Sequence, residues 1–207
     1  MSDIVQRSDE WFASRLGRVG ASRIADIMAE TKSGEAASRK NYMMELLCQR
    51  LTGKYEESFT TVAMQWGIDN EDLARAIYEL ETGYTVKQVG GYPHPKIPMA
   101  GASPDGVVIS EEGDDIGLVE IKCPNTSMHV DFLQSRKIPK KYQYQMAFQC
   151  ACSGFIFCDY VSYDPRMPTA HQIAIERFTP SREFIDTIED KVRAFVSELD
   201  ELERRFK

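Results

Sequence analysis

Gly117-Leu118-Val119-Glu120-Ile121-Lys122-Cys123-Pro124 is the stretch on which the reading of this chain turns. Its alternation predicts a β-strand, and in a strand residues two apart share a face. Glu120 and Lys122 are therefore neighbours, while Leu118 and Ile121 need not share an environment. Upstream, Ser103-Pro104-Asp105-Gly106 reads as a proline–glycine turn between two short apolar runs. If that turn packs beside the strand, two carboxylates and a lysine converge. This is the minimal equipment for metal-assisted hydrolysis of a phosphodiester. Hard oxygen ligands hold Mg²⁺, and a lysine orients or helps deprotonate water. The bland alternative is a solvated strand face beside an ordinary turn, and on these residues alone it is the commoner case.

The rest of the chain sets the context. Its 207 residues are enough for one domain with a real core, and we read residues 1–207 as a single domain. No apolar run approaches the ~18 residues of a membrane span, and the polar N-terminus does not read as a signal peptide. Five cysteines in no framework spacing suggest free thiols in a reducing compartment. They also lack a four-ligand iron–sulfur spacing. A net charge of −7 argues against broad electrostatic adhesion to nucleic acid. Local basic clusters remain, namely Arg15, Arg18 and Arg23, and the Arg136–Lys141 stretch.

Hydrophobic spacing predicts a short helix ending near Ala29, after a loop from Arg15. A second helix runs from Ser38 to about Leu51, with Met43, Leu46, Leu47 and Leu51 inward and Gly53 ending it. A short helix over Thr60–Trp66 precedes another opened by Asp69 or Asn70. That one has Leu73, Ile77 and Leu80 at helical spacing and Gly83 at its end. Strands are expected at Thr85–Tyr92, Met99–Ala102, Val107–Ser110, Gly117–Cys123, Phe155–Val161 and His171–Arg177. A helix from Pro139 to about Cys152 intervenes. A last helix starts at Thr179-Pro180 with Phe184, Ile188, Val192, Phe195, Leu199 and Leu202 inward. This order implies an α/β fold with helices around a central mixed sheet.

Further residues widen the constellation. Glu71 lies near the start of the predicted Asn70–Glu81 helix, where either dipole capping or a metal-site role fits. Tyr142 and Gln145 share one helix face, and Gln149 continues it. Arg15 and Ser22 bracket the entry to the first helix. They suit a phosphate pocket, or equally a surface arginine and an N-cap serine.

Several segments together carry a resemblance: Trp11…Arg15-Leu16-Gly17…Ala21-Ser22, Trp66-Gly67 with Glu71, Ser103-Pro104-Asp105-Gly106, Glu120-Ile121-Lys122-Cys123-Pro124, Tyr142-x-x-Gln145 and Tyr163-Asp164-Pro165-Arg166-Met167. In this order the set resembles the bacteriophage lambda exonuclease family, the YqaJ-type viral recombinases of the PD-(D/E)xK nuclease superfamily. The resemblance implies a restriction-endonuclease-like core. It implies a 5′→3′ exonuclease that degrades one strand of linear double-stranded DNA to mononucleotides and leaves a 3′ overhang for strand annealing. It implies two Mg²⁺ per site, with Mn²⁺ able to substitute, held by Asp105, Glu120 and the Ile121 carbonyl. Lys122 takes the catalytic-lysine position and Glu71 the acidic position of the early helix. Tyr142 and Gln145 match the flanking helix motif. Arg15, Ser22 and Ser103 match positions receiving the 5′-terminal phosphate. Lys32 matches a DNA-touching loop residue, and Met64 an apolar wedge. The implied partners are 5′-phosphorylated linear duplex, two further copies in a homotrimeric ring, and a single-strand annealing recombinase. The implied setting is a phage or prophage protein in the bacterial cytoplasm. A site-specific endonuclease on the same core and a non-catalytic DNA-end scaffold are the rival readings.

Overall fold

The computed structural model describes residues 5–31, 34–55 and 61–207. Lys32 and the start of the predicted Thr60–Trp66 helix lie outside them. In chain order the elements are α1 (Asp9–Arg15), β1 (Val19–Gly20), a 3₁₀ turn (Ala21–Arg23), α2 (Ile24–Ile27), β2 (Glu30–Thr31), β3 (Gly34–Glu35), α3 (Ala37–Thr52) and α4 (Val62–Thr82). There follow β4 (Thr85–Lys87), β5 (Tyr92–Pro93), β6 (Ala100–Ala102), β7 (Gly106–Ile109) and β8 (Asp115–Lys122). Helices α5 (Thr126–Ser135) and α6 (Lys140–Ser153), strands β9 (Cys158–Tyr163) and β10 (Ile173–Phe178), and helix α7 (Arg182–Arg204) complete the chain.

The central five-stranded sheet has the order β10-β9-β8-β7-β4. Strands β8 and β9 are parallel, with Glu120 opposite Tyr160 and Lys122 opposite Ser162. The other pairings in this sheet are antiparallel. A parallel pair needs a long crossover, and here α5 and α6 form it. The connection that makes β8 and β9 neighbours thus also lays α6 against their face. Val119 and Ile121 point the other way, packing with Ala74 and Tyr78 of α4. Leu118 lies with Met146 and Cys150 of α6. The period of two is therefore realised, and it sends Glu120 and Lys122 toward α6. On its far side, α6 packs Ala147, Phe148 and Cys152 against Tyr42, Leu46, Ile188, Val192 and Phe195 of α3 and α7.

Two helices escape the periodicity reading. In α1, Ser8 Oγ accepts from the Trp11 amide at 3.2 Å, and in α5, Asn125 Oδ1 accepts from Met128 at 3.0 Å. Both are capped starts whose apolar stripes are too short to stand out. Helix α4 is continuous where two helices were expected. Its polar residues bond within the helix instead of ending it: Asn70 Nδ2 donates to the Trp66 carbonyl at 2.8 Å, and Gln65 Nε2 to Asp69 Oδ1 at 2.7 Å. Glu71 is therefore in mid-helix, and the dipole-capping account of it falls. The buried face of α4 is Ala74 and Tyr78, while Leu73 and Leu80 are exposed, as is Leu51 on α3. The expected Thr85–Tyr92 strand divides into β4 and β5, which join different sheets. Strands β2 and β3 pair antiparallel, Glu30 opposite Glu35 and Thr31 opposite Gly34.

Candidate active site

Asp105 is positioned by backbone. Its Oδ2 accepts from the Ile121 amide at 2.6 Å, which ties the Pro-Asp-Gly turn to β8. Glycine is required next to it, since a Cβ on Gly106 would stand 2.2 Å from Val86 Cγ1. Glu120 is 1% exposed. A carboxylate so buried costs several kcal/mol unless its oxygens are satisfied. Here Lys122 Nζ and Gln145 Nε2 both donate to Oε1, the latter at 2.6 Å. Gln149 Nε2 donates to Oε2 at 2.6 Å. The stripe of Gln145 and Gln149 on α6 thus meets the β8 face, as the crossover dictates.

The electrostatics are those of crowded charge. Burial first, and then the neighbouring Glu120, push the Asp105 carboxyl up to about 8, against the pull of Lys122 and the Ile121 amide. Burial alone would lower the Lys122 ammonium, but Glu120 and Asp105 outweigh it and raise it above its ordinary value. The lysine is therefore a fixed cation. A carboxyl group whose ionisation is opposed by burial and by a neighbouring carboxylate is what a further cation would relieve. Among the described residues, no three His, Cys, Asp or Glu side chains form a metal cage. The donors present are hard oxygens, which suits Mg²⁺, an ion that keeps several waters and uses one or two carboxylates. On that chemistry the residues fit a divalent ion.

The cluster opens into a cleft of about 1120 Å³. Arg15, Ser22, Met64, Glu71, Ser103, Asp105, Glu120, Ile121, Lys122, Tyr142 and Gln145 all line it. Every site residue expected from the sequence that falls within the described residues is thus brought together. Arg15 Nη1 donates to Ser103 Oγ at 3.0 Å, and its guanidinium lies 4.2 Å from the Trp11 ring centroid. Arg15, Ser22 and Ser103 also line a smaller adjoining pocket of about 420 Å³, together with Arg18 and Arg23. Glu71 accepts from Arg7 at 2.6 Å and from Arg75 at 3.1 Å. Lys122 Nζ stands 5.3 Å from the Tyr142 ring centroid. Met64, near the start of α4, lines the cleft and is 53% exposed.

Sequence reasoning missed three participants. Gln149 belonged to a recognised stripe but had no visible partner. Arg7 gave no local sign of its pairing with Glu71. Trp66 forms cleft wall beneath Arg166, whose guanidinium lies 4.3 Å from its ring centroid. The cysteines are free thiols, with Cys150, Cys152 and Cys158 buried.

A mixed sheet flanked by helices, carrying an aspartate turn and a Glu-x-Lys strand, defines the PD-(D/E)xK-type fold. The comparisons narrow this. Residues 10–156 match the YqaJ-like viral recombinase domain, and the chain belongs to that family. It is similar to an alkaline exonuclease from Laribacter hongkongensis, at 47% identity over 96% of each chain and a TM-score of 0.88. A structure of LHK-Exo with dAMP gives 48% identity over 97% of this chain and 96% of the other, also at a TM-score of 0.88. A phage-related exonuclease from Haemophilus somnus 129PT shares the fold at 16% identity, over 92% of this chain and 96% of that one, with a TM-score of 0.73. No curated protein matches. Among the described residues no helix is long and apolar enough to cross a membrane.

Proposed function

We propose that this chain is a divalent-metal-dependent 5′→3′ exonuclease that degrades one strand of linear double-stranded DNA to mononucleotides. The observation that carries the reading is the shared cleft, in which the Asp105–Glu120–Lys122 cluster and the Arg15–Ser103 pair line one wall system. Likeness to an alkaline exonuclease at 47% identity supports the reaction class.

Asp105, Glu120 and the Ile121 carbonyl would hold Mg²⁺, with Glu71 supporting a second ion or its water. When bound, the ions supply Lewis acidity and a nucleophilic water at neutral pH. The chain's own groups do the rest. Gln145 and Gln149 hold the Glu120 oxygens in place. Lys122, kept charged, offsets negative charge developing on the phosphorane. Tyr142 flanks the ammonium and limits its motion. Arg15, Ser22 and Ser103 receive the 5′-terminal phosphate, which fixes the register of each cut. Met64 separates the terminal base pair, and Lys32 adds a contact to the DNA. Residues 1–207 act as one exonuclease domain. Assembly into a homotrimeric ring would enclose the duplex, so processivity would not demand a strongly cationic surface. The 3′ overhang would pass to a single-strand annealing recombinase in the bacterial cytoplasm, the setting of a phage or prophage protein.

The test compares 5′-phosphorylated linear, 5′-hydroxyl linear and covalently closed duplex with Mg²⁺. Hydrolysis of the phosphorylated end, slowed for 5′-hydroxyl and absent on the closed circle, is expected. Cutting of the circle would replace this reading with an endonuclease.

A further inference from the structure

The hydrolytic reading leaves Arg166 without a task. Its side chain is 46% exposed, yet it is held rigidly. Nε and Nη2 donate to the fully buried Asp164 at 2.7 and 2.9 Å, and Nη2 reaches the Pro124 carbonyl at 3.3 Å. The guanidinium lies over Trp66 of α4. Among the described residues no acceptor meets Nη1. A staple for the β9–β10 turn would need only Asp164 and the Arg166 amide, which bond at 3.0 Å. It would not need the guanidinium stacked on a distant helix. Asp164 holds Nε and Nη2 in a bidentate ion pair and is further satisfied by Thr126 Oγ1 at 2.7 Å and the Arg166 amide, which leaves Nη1 as the open donor. A planar fork whose rotamer is fixed through Nε and Nη2, and whose Nη1 stays open in the cleft lining, can receive a phosphate oxygen.

Connectivity gives its place in the cleft. Ser103, two residues before Asp105, bonds Arg15. Pro124, two residues after Lys122, bonds Arg166. The sheet order β9-β8-β7 places Arg166, just after β9, and Ser103, just before β7, on opposite sides of β8 at the end that carries Lys122. A strand with its terminal phosphate at Arg15 and its first phosphodiester at the cluster presents its following phosphate toward Pro124. We propose that Arg166, braced on Trp66 and Asp164, binds the DNA backbone phosphate on the 3′ side of the scissile one. This rests on the hydrolytic reading of the site.

The experiment is fluorescence anisotropy of 5′-phosphorylated linear duplex with Ca²⁺, an ion that takes the same oxygen ligands, across a salt series. Arg166→Gln is expected to weaken duplex binding about tenfold. It should also reduce the log K against log salt slope by about 0.9. A 5′-mononucleotide, too short to reach Arg166, should bind as to the wild type. In Mg²⁺, KM should rise more than kcat falls. A folded Arg166→Gln chain with wild-type affinity and slope overturns the proposal, and so does an equal loss for mononucleotide and duplex. If Arg166→Gln does not fold, Arg166→Lys decides. Weaker duplex binding with an unchanged slope supports the fork, and wild-type affinity overturns it. A wild-type chain that neither binds nor cuts duplex would overturn the hydrolytic reading itself, and this proposal with it.

Discussion

Gln149→Met removes one donor while keeping length and an unbranched side chain. In the wild type, Glu120 Oε1 has two donors, Lys122 and Gln145, while Gln149 alone serves Oε2 at 2.6 Å. Gln149 is 0% exposed, so water does not take its place without cost. A hydrogen bond to a buried charge contributes about 1.5–3 kcal/mol. For a chain of this size the melting temperature should fall roughly 4–8 °C for about 2 kcal/mol. The same loss releases one oxygen of a carboxylate assigned to hold Mg²⁺. Groups that orient a metal ligand are worth about 10–100-fold in metal affinity or activity. The expected result is a Mg²⁺ half-saturation for duplex hydrolysis raised by about tenfold or more, with much of the rate recovered at high Mg²⁺. Calorimetry and a Mg²⁺ titration of single-turnover cleavage measure both. A folded variant with an unchanged Mg²⁺ midpoint would refute the reasoning, because Glu120 would then need no anchor on Oε2.

Two other consequences concern stability. His94 is buried on Phe148 with ring centroids 5.3 Å apart, and its Nδ1 accepts from the Lys96 and Ile97 amides at 3.1 Å each. Nε2 therefore carries the proton toward Glu189, 3.2 Å away. Burial lowers its pKa, and Glu189 does not fully offset that. The unfolded chain thus binds this proton first as pH falls below about 6.5, and the histidine's contribution to stability should decline there by up to about 1.4 kcal/mol per pH unit. The raised Asp105 carboxyl acts in the opposite sense over this range in both chains, so the difference in urea-unfolding stability between wild type and His94→Asn from pH 8 to 5 should show the slope, and a constant difference would refute it. Separately, Gly106→Ala would press a Cβ to 2.2 Å from Val86 Cγ1. It should destabilise by about 1–3 kcal/mol. Adding Val86→Ala should restore part of the rigidity of the Asp105 turn, read as recovered cleavage, and a single variant as stable as the wild type would contradict the packing.

How much was legible follows from the range of each signal. Glu120-x-Lys122 could be read because a strand's period of two is purely local. Asp105 could be read because proline and glycine mark their own turn. The Tyr142, Gln145 and Gln149 stripe was visible, but its partner was not. That the stripe faces Glu120 follows from the parallel β8–β9 pairing, which no window of sequence contains. Helix α4 was divided after Trp66 because Asp69 and Asn70 commonly open helices. Their side-chain bonds to Gln65 and to the Trp66 carbonyl are invisible until the helix exists. Leu73 and Leu80 were placed inward by spacing alone, whereas the sheet selects the narrower Ala74–Tyr78 stripe. Arg7 and Arg166 lie far in sequence from Glu71 and Trp66, so their pairings are tertiary facts.

Helix α6 stands between two cores, with its glutamines on the sheet side and Phe148 on the helical side. From Tyr142 to Ser153 it has no exposed residue. Such a helix has little room for neutral drift. A substitution that suits the α3–α7 layer shifts the glutamines, and one that suits the glutamines disturbs that layer. Thermal adaptation and metal requirement are thereby linked traits in this chain. A lineage that hardens its helical layer would have to retune Glu120 in the same steps.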